Sequence, residues 1–286
     1  MGVEYRYNSL EDFLTSTRLD VNGLLDDGWG ANFPVKGREI EAAILFCDIS
    51  NFSGRTYDLS PVETLIFVNN FFAWITAEAL RGRAGIVDKY IGDEIMVLFS
   101  TEFGSEDPVL DALQTARFMA ERDSLNFRPH IGIAAGDVVI GYVGTPLKYN
   151  CSVFGRPVAV AARCASVSGQ GLHSSRIVLP AAIWNDREIG EVFPPQRYKM
   201  PDGEVHESPQ SWNALDPRTV EIKNMPDLEI VEIVNEMYHM PTLSTEDRAR
   251  VSAEALKKEG SYARLRYEFE TKRSNKKAEG DDSPRA

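Results

Sequence analysis

Residues 40–53 read IEAAILFCDISNFS, an apolar run that ends in an aspartate followed by small polar residues. A short run that is almost wholly apolar is typical of a central strand buried on one or both faces. An aspartate at the end of such a strand is costly to bury unless a cation pairs with it. The polar residues after Asp48 leave backbone N–H groups free to face an anion. Taken alone, the pattern fits equally well an aspartate that caps the next helix.

A second carboxylate, Asp93, lies in the turn of a predicted hairpin formed by residues 85–90 and 94–99. If this hairpin neighbours the strand at 40–47, Asp93 lies beside Asp48. Two carboxylates a few Å apart repel each other unless a divalent ion bridges them. Oxygen ligands suit Mg²⁺ or Mn²⁺. A Gly-Asp turn is common by itself, so the predicted metal site depends on the pair.

Local signals predict the remaining elements. Ser60-Pro61-Val62-Glu63 is a capping box with Pro at the first helical position, which predicts a helix from Pro61 to about residue 81. Further helices are predicted at about 8–28, 107–123, 158–167 and 244–272. A Gly-punctuated hairpin is predicted at 129–144, a strand followed by a short helix at 176–184, a loop region at about 186–218, a strand pair at 219–223 and 228–234, and a disordered tail from 274.

Four motif blocks occur in a fixed order along the chain. They are FCDISNFS at 46–53, KYIGD at 89–93, HIGIAAGDVVIGYVG at 130–144 and FGRPVAVAAR at 154–163, with a weaker fifth, IKNMPDL, at 222–228. In type and order they resemble the motifs of class III adenylate/guanylate cyclase catalytic domains. The resemblance covers about residues 38–235. It leaves residues 1–37 as an N-terminal helical extension and residues 236–286 as a C-terminal helix and tail.

The resemblance implies an α/β (α+β) fold with a ferredoxin-like βαββαβ core, active as a head-to-tail homodimer with composite sites. It implies that Asp48, Asp93 and the carbonyl oxygen of Ile49 hold two divalent metal ions, Mg²⁺ or Mn²⁺. The reaction would form a 3′,5′-cyclic nucleoside monophosphate and pyrophosphate from a nucleoside triphosphate, by the two-metal logic of in-line phosphoryl displacement.

The resemblance also assigns roles to residues that contact the triphosphate. Arg163 of a second copy of the chain would stabilise charge on the α-phosphate, as a fork-shaped donor can. Lys223 of that copy would neutralise the outgoing pyrophosphate. The loop at Asn51, Phe52 and Ser53 would bind phosphate. Alternatively, Arg163 is an ordinary cation on a helix surface and Lys223 a charge on a strand edge.

Two positions bear on the nucleobase. Lys89 stands where adenylate cyclases carry Lys and guanylate cyclases carry Glu. A lysine only donates hydrogen bonds, which disfavours GTP. Ser152, where the family usually has Asp, Thr or Cys, both donates and accepts. Ala159 replaces the family's ribose-orienting Asn, and Asn51 replaces a common Gly. These departures resemble the pyrimidine cyclases of bacterial Pycsar antiphage systems and favour UTP, with ATP as the alternative.

Net charge, hydropathy and residue content disfavour several other classes of function. The formal net charge of −12 disfavours nucleic-acid binding. No apolar run approaches the roughly 18–20 residues of a membrane span, and the three cysteines fit buried thiols in a reducing cytoplasm. An inactive cyclase-like module that binds nucleotide remains an alternative, supported by Ala159. A metal-dependent phosphohydrolase is disfavoured because the four histidines are scattered.

Overall fold

The computed structural model describes residues 5–26, 32–123, 127–145, 147–169, 176–185, 187–195, 197–199, 204–207, 210–221 and 225–235. The helices are α1 (Leu10–Ser16), α2 (Phe52–Thr56), α3 (Pro61–Ala79), α4 (Pro108–Glu121), α5 (Arg156–Ala165) and α6 (Ile189–Val192). The strands are β1 (Val21–Asp26), β2 (Asn32–Ile49), β3 (Gly85–Ile91), β4 (Glu94–Phe99), β5 (Pro129–Thr145), β6 (Lys148–Phe154), β7 (Arg176–Pro180), β8 (Arg197–Lys199), β9 (Val205–Glu207), β10 (Trp212–Ala214), β11 (Arg218–Val220) and β12 (Leu228–Asn235).

The centre of the main sheet has the order β5-β2-β4-β3, and all three of these pairings are antiparallel. Together with α3 and α4, these strands form a βαββαβ unit, which confirms the ferredoxin-like core. The sheet continues beyond β5 through β7, β12 and β10, while β6 pairs with the second half of β5. The long strand β2 lies in the middle, and its apolar run is buried on both faces because helices cover both faces of the sheet.

Two apolar layers sandwich the sheet. On one face, Phe67 and Phe71 of α3 and Leu113 of α4 pack against the odd-numbered residues of β2. On the other face, Phe13 of α1 and Val160 of α5 pack against the even-numbered residues. The alternation of side chains along a strand therefore divides β2 between two cores, so Asp48 lies on the face that α1 and α5 cover.

Several local predictions are confirmed. Ser60 and Glu63 form the capping box that begins α3, and Pro61 is its first residue. The hairpin of β3 and β4 forms with Gly92 and Asp93 in its turn. β11 pairs with β12, close to the predicted strand pair. No helix in the described ranges is long and apolar enough to cross a bilayer.

Three local predictions were wrong. The helix predicted at 8–28 ends at Ser16, and Leu24 lies in β1, which pairs with the start of β2. Residues 129–144 belong to one continuous strand, β5, whose hairpin partner is β6. The predicted loop at 186–218 contains α6 and the short strands β8, β9 and β10. The helix and tail predicted at 244–286 lie outside the described residues.

Candidate active site

The site is built around the C-terminal end of β2. Asp48 is the last-but-one residue of that strand, and Asp93 lies in the turn between β3 and β4. The carboxylate of Asp93 accepts hydrogen bonds from the backbone N–H groups of Ile49 and of Asp93 itself. This contact ties the hairpin tip to the end of β2, so the two predicted metal-binding aspartates are neighbours.

Electrostatics show how costly this cluster is without a cation. Burial raises the pKa of Asp48 to about 7, and the negative charges of Asp93 and Glu94 contribute to the rise. Burial also raises the pKa values of Asp93 and Glu94. A hydrogen bond from the backbone N–H of His130 and the positive charge of Arg176 act in the opposite direction on Asp48. Three carboxyl groups thus share one partly buried corner of the sheet.

Sequence reasoning missed Glu94, His130 and Arg176. Glu94 follows Asp93 directly, so its proximity was readable from the motif. His130 stands opposite Asp48 in the pairing of β2 with β5, and its Nδ1 atom lies 3.8 Å from Asp48 Oδ1. Burial, with the charge of Arg176, lowers the pKa of His130 to about 4, so the ring is neutral at pH 7. Only the sheet register brings His130 and Arg176 to Asp48, and no local sequence pattern shows that register.

The residues fit a divalent cation. Asp48 Oδ1 is buried and has no hydrogen-bond partner among the described residues. Pro129 stands opposite Ile49 in the sheet and has no N–H, so it cannot donate to the Ile49 carbonyl. Oxygen atoms of this kind are the ligands that Mg²⁺ prefers. The described residues contain no cluster of three or more His, Cys, Asp or Glu side chains that could hold a metal, so the set needs the Ile49 carbonyl and a ligand's oxygens as well.

The loop after β2 turns sharply at Asn51, whose φ of 53° lies in the left-handed region. Asparagine tolerates this conformation better than most residues other than glycine, which gives a physical reason for Asn in a position where glycine is common. Phe52 and Ser53 then begin the five-residue helix α2. Asn51 and Ser53 are exposed, so the predicted phosphate loop faces solvent directly after Asp48 and Ile49.

The two base-binding candidates meet in space, although they lie on β3 and β6. Lys89 Nζ donates a hydrogen bond to Ser152 Oγ and forms an ion pair with Asp88 Oδ2 at 3.0 Å. Ser152 is only 5% exposed, and the side chain of Asp88 is nearly as buried. A bulge in β3 between Val87 and Lys89 accompanies this arrangement. Sequence reasoning missed Asp88, which supplies an acceptor beside the lysine amine.

Arg163 and Ala159 lie one turn apart on α5, and both are exposed. The guanidinium of Arg163 has no hydrogen bond or ion pair with the described residues, so it is available to an anion or to another chain. Ala159 leaves the same face of the helix without a polar group at the position predicted to orient a ribose. Lys223, the other predicted phosphate contact, lies outside the described residues.

Comparison with known proteins agrees with this fold and this set of motifs. Residues 35–177, half of the chain, match the family model of the adenylate and guanylate cyclase catalytic domain. The chain therefore belongs to the class III adenylate/guanylate cyclase catalytic-domain family.

Its relatives include a protein named adenylate cyclase from Anabaena cylindrica, 33% identical over 166 residues that make up 52% of this chain and 31% of that protein. An uncharacterised protein of Mycobacterium tuberculosis is 30% identical over 177 residues, 58% of this chain and 31% of that protein. The chain thus spans about a third of the length of these curated relatives.

Solved structures show the same fold. The adenylyl cyclase CyaB from P. aeruginosa matches with a TM-score of 0.53 and 18% identity, covering 72% of this chain and 99% of that one. A bacterial light-regulated adenylyl cyclase matches with a TM-score of 0.50 and 22% identity, covering 77% of this chain and 58% of that one.

Proposed function

We infer that this protein is a nucleotidyl cyclase that converts a nucleoside triphosphate into a 3′,5′-cyclic monophosphate and pyrophosphate. Membership of the cyclase family supports the reaction class. The observation that carries the proposal is the pair of neighbouring, partly buried carboxylates, Asp48 and Asp93, of which one has an unpartnered oxygen. A carboxylate pair that repels itself in this way favours a site completed by divalent cations.

The chain's own residues would divide the work. Asp48, Asp93 and the Ile49 carbonyl would hold two Mg²⁺ or Mn²⁺ ions. When bound, such ions lower the pKa of the ribose 3′-hydroxyl and neutralise negative charge on the phosphates. The exposed loop at Asn51–Ser53 would receive the phosphate chain on its backbone N–H groups. Arg163 would donate two hydrogen bonds to the α-phosphate, where negative charge grows in the transition state.

We place Arg163 and Lys223 in the site of a second copy of the chain, so that a homodimer would contain two composite sites. Two hairpins support this arrangement because they expose large apolar side chains to solvent. Tyr90 and Ile91 are 49% and 44% exposed in β3, and Leu147 and Tyr149 are 97% and 57% exposed at the β5–β6 hairpin. Exposed apolar side chains grouped in this way are typical of protein–protein contacts.

The nucleobase would bind at Lys89 and Ser152. Both side chains can donate to a uracil carbonyl, which keeps UTP as the proposed substrate, and Lys89 disfavours guanine. Asp88 adds an acceptor beside Lys89, which an exocyclic amine of adenine or cytosine could use. ATP is therefore the alternative, and the name of the Anabaena relative also favours it. A cyclic pyrimidine product would suit a second messenger in antiphage defence, as the Pycsar resemblance implies.

One experiment tests the reaction and the base together. The full chain is incubated with ATP, GTP, CTP and UTP and Mn²⁺, and products are identified by mass spectrometry. We expect a cyclic monophosphate and pyrophosphate, most from UTP, and none with Asp48→Ala. A cyclic product mainly from ATP would make the protein an adenylate cyclase. Nucleotide binding without turnover would make it an inactive module, and linear monophosphate would make it a phosphohydrolase.

A further inference from the structure

Three polar side chains form a row across β2, β5 and β7. Asp48 stands opposite His130, and His130 stands opposite Arg176 in the parallel pairing of β5 with β7. Directly paired residues on neighbouring strands point to the same face of a sheet. His130 Nδ1 lies 3.8 Å from Asp48 Oδ1, and the charge of Arg176 acts on both other side chains. The row therefore runs from carboxylate through imidazole to guanidinium.

Each end of this row has a buried polar atom with no hydrogen-bond partner among the described residues. These atoms are Asp48 Oδ1, an acceptor, and Arg176 Nε, a donor. An imidazole ring with one N–H and one bare nitrogen matches this order, since the guanidinium can donate to the ring and the ring to the carboxylate. A small approach of the three side chains would satisfy both atoms at once.

Arg176 packs closely against a neighbouring segment of the chain. A Cβ atom at Gly169 would overlap the guanidinium of Arg176, so the backbone that follows α5 lies directly against it. Glycine at position 169 leaves space for the guanidinium in this position. The row thus runs from a guanidinium packed against this segment to Asp48, beside Asp93 and the proposed metal site.

We propose that His130, held by a hydrogen bond from Arg176, is a positioning residue that orients the Asp48 carboxylate for metal binding. This proposal rests on the proposed function, because it assumes that Asp48 is a metal ligand. His130 would donate to one lone pair of Asp48 Oδ1 and so fix the orientation of the carboxylate, while the second lone pair of that oxygen stays available to a metal ion. Partners of metal ligands commonly act in this way, and their loss weakens metal affinity about 10–100-fold.

The test measures Mn²⁺ binding to the full chain without nucleotide, from the rise in melting temperature over a wide range of Mn²⁺ concentration. We expect His130→Ala to weaken Mn²⁺ binding at least about 10-fold. His130→Asn places an amide N–H near the Nδ1 position and should retain most of the affinity. His130→Gln, whose amide lies further out, should not. His206→Asn on β9, in the separate two-stranded sheet, is the matched control and should bind like the wild type.

Arg176→Ala separates positioning from simple electrostatics. Removing a positive charge near a cation site should tighten Mn²⁺ binding if charge alone matters. The proposal predicts weaker Mn²⁺ binding, because the His130 ring loses the guanidinium that holds it.

Equal Mn²⁺ affinity in His130→Ala and wild type, or tighter binding in Arg176→Ala, would overturn the positioning role and leave the cyclase proposal intact. Absence of Mn²⁺ binding in the wild type would overturn both. The melting temperature without metal reports whether each variant folds. If His130→Ala does not fold, the Asn and Gln variants of His130 test the positioning role.

Discussion

The Asp48 carboxyl group combines burial, two negative neighbours and an unpartnered oxygen. A carboxyl group in such surroundings keeps its proton more tightly in the folded chain than in the unfolded chain. Ionisation of Asp48 therefore lowers the free energy of unfolding, whereas ionisation of an ordinary ion-paired aspartate raises it. A bound cation would remove this destabilisation.

The pH dependence of stability follows from this pKa. Asp48 titrates at about 7 when folded, against 3.8 for the free side chain. Since the folded state holds the proton more tightly, Asp48 makes the metal-free protein less stable as the pH rises from about 4 to about 7. His130, whose pKa is lowered to about 4, acts in the opposite direction over part of this window, so the comparison must be with Asp48→Asn.

We expect the unfolding free energy of the wild type, relative to Asp48→Asn, to fall by about 2 kcal/mol over this window, after allowance for solvent screening. Chemical denaturation at several pH values measures it. Mn²⁺ should abolish the fall in the wild type. A difference that stays constant with pH would mean that Asp48 is not buried among like charges.

Base selectivity is a second prediction at the level of single residues. Ser152→Asp would place a carboxylate beside Lys89, where it accepts from an exocyclic amine and cannot donate to a carbonyl. We expect kcat/KM for ATP or CTP relative to UTP to rise at least about 10-fold, since each polar contact is worth about 1–3 kcal/mol. Asn150→Asp, an exposed position on the same strand, adds the same charge and should leave the ratio unchanged. An active Ser152→Asp enzyme with the wild-type ratio would remove Ser152 from the base site.

The secondary-structure elements show what sequence reasoning can reach. The capping box of α3 was predictable because its hydrogen bonds join residues three apart. The hairpin of β3 and β4 was predictable from a Gly-Asp turn between apolar runs. The prediction of a hairpin within 129–144 was wrong because it took glycine as a turn signal, whereas Gly132 lies within a continuous strand. A Cβ at Gly132 would overlap the backbone of α5, so this glycine allows helix and strand to approach closely.

Other features depend on contacts between distant parts of the chain. β1 forms only because it pairs with the start of β2, which no local period of apolar residues reveals. The same holds for the candidate site. The motifs identified Asp48, Asp93, Lys89 and Ser152, whereas the register of β5 with β2 was needed to find His130.

Helix α1 of the N-terminal segment packs on the sheet and should contribute to the stability of the domain. Phe13 is fully buried, its ring meets Tyr7 and Phe103 edge to face, and Arg38 lies over it. We expect Phe13→Ala to lower the unfolding free energy by about 3–5 kcal/mol, measured by chemical denaturation. Thr15→Ala, on the exposed side of α1, should change it by less than about 0.5 kcal/mol. Equal stability of the two variants would show that α1 does not pack on the sheet.

At the scale of the whole molecule, a second copy of the chain would complete the proposed site. Asp48 and Asp93 would come from one protomer and Arg163 from the other, so each dimer would contain two sites related by two-fold symmetry. In such a dimer, a variant that lacks a metal ligand and a variant that lacks Arg163 would together form one intact site. A site contained within one protomer would not show this behaviour.

The most direct measurement mixes Asp93→Asn with Arg163→Ala under conditions that exchange subunits, and then quantifies cyclic nucleotide by mass spectrometry. Each variant alone should be inactive. Random mixing makes half of the dimers mixed, and each mixed dimer has one intact site, so the mixture should recover about a quarter of wild-type activity. A mixture that stays inactive although mixed dimers form, or an Arg163→Ala variant that is fully active alone, would contradict the composite metal-dependent site.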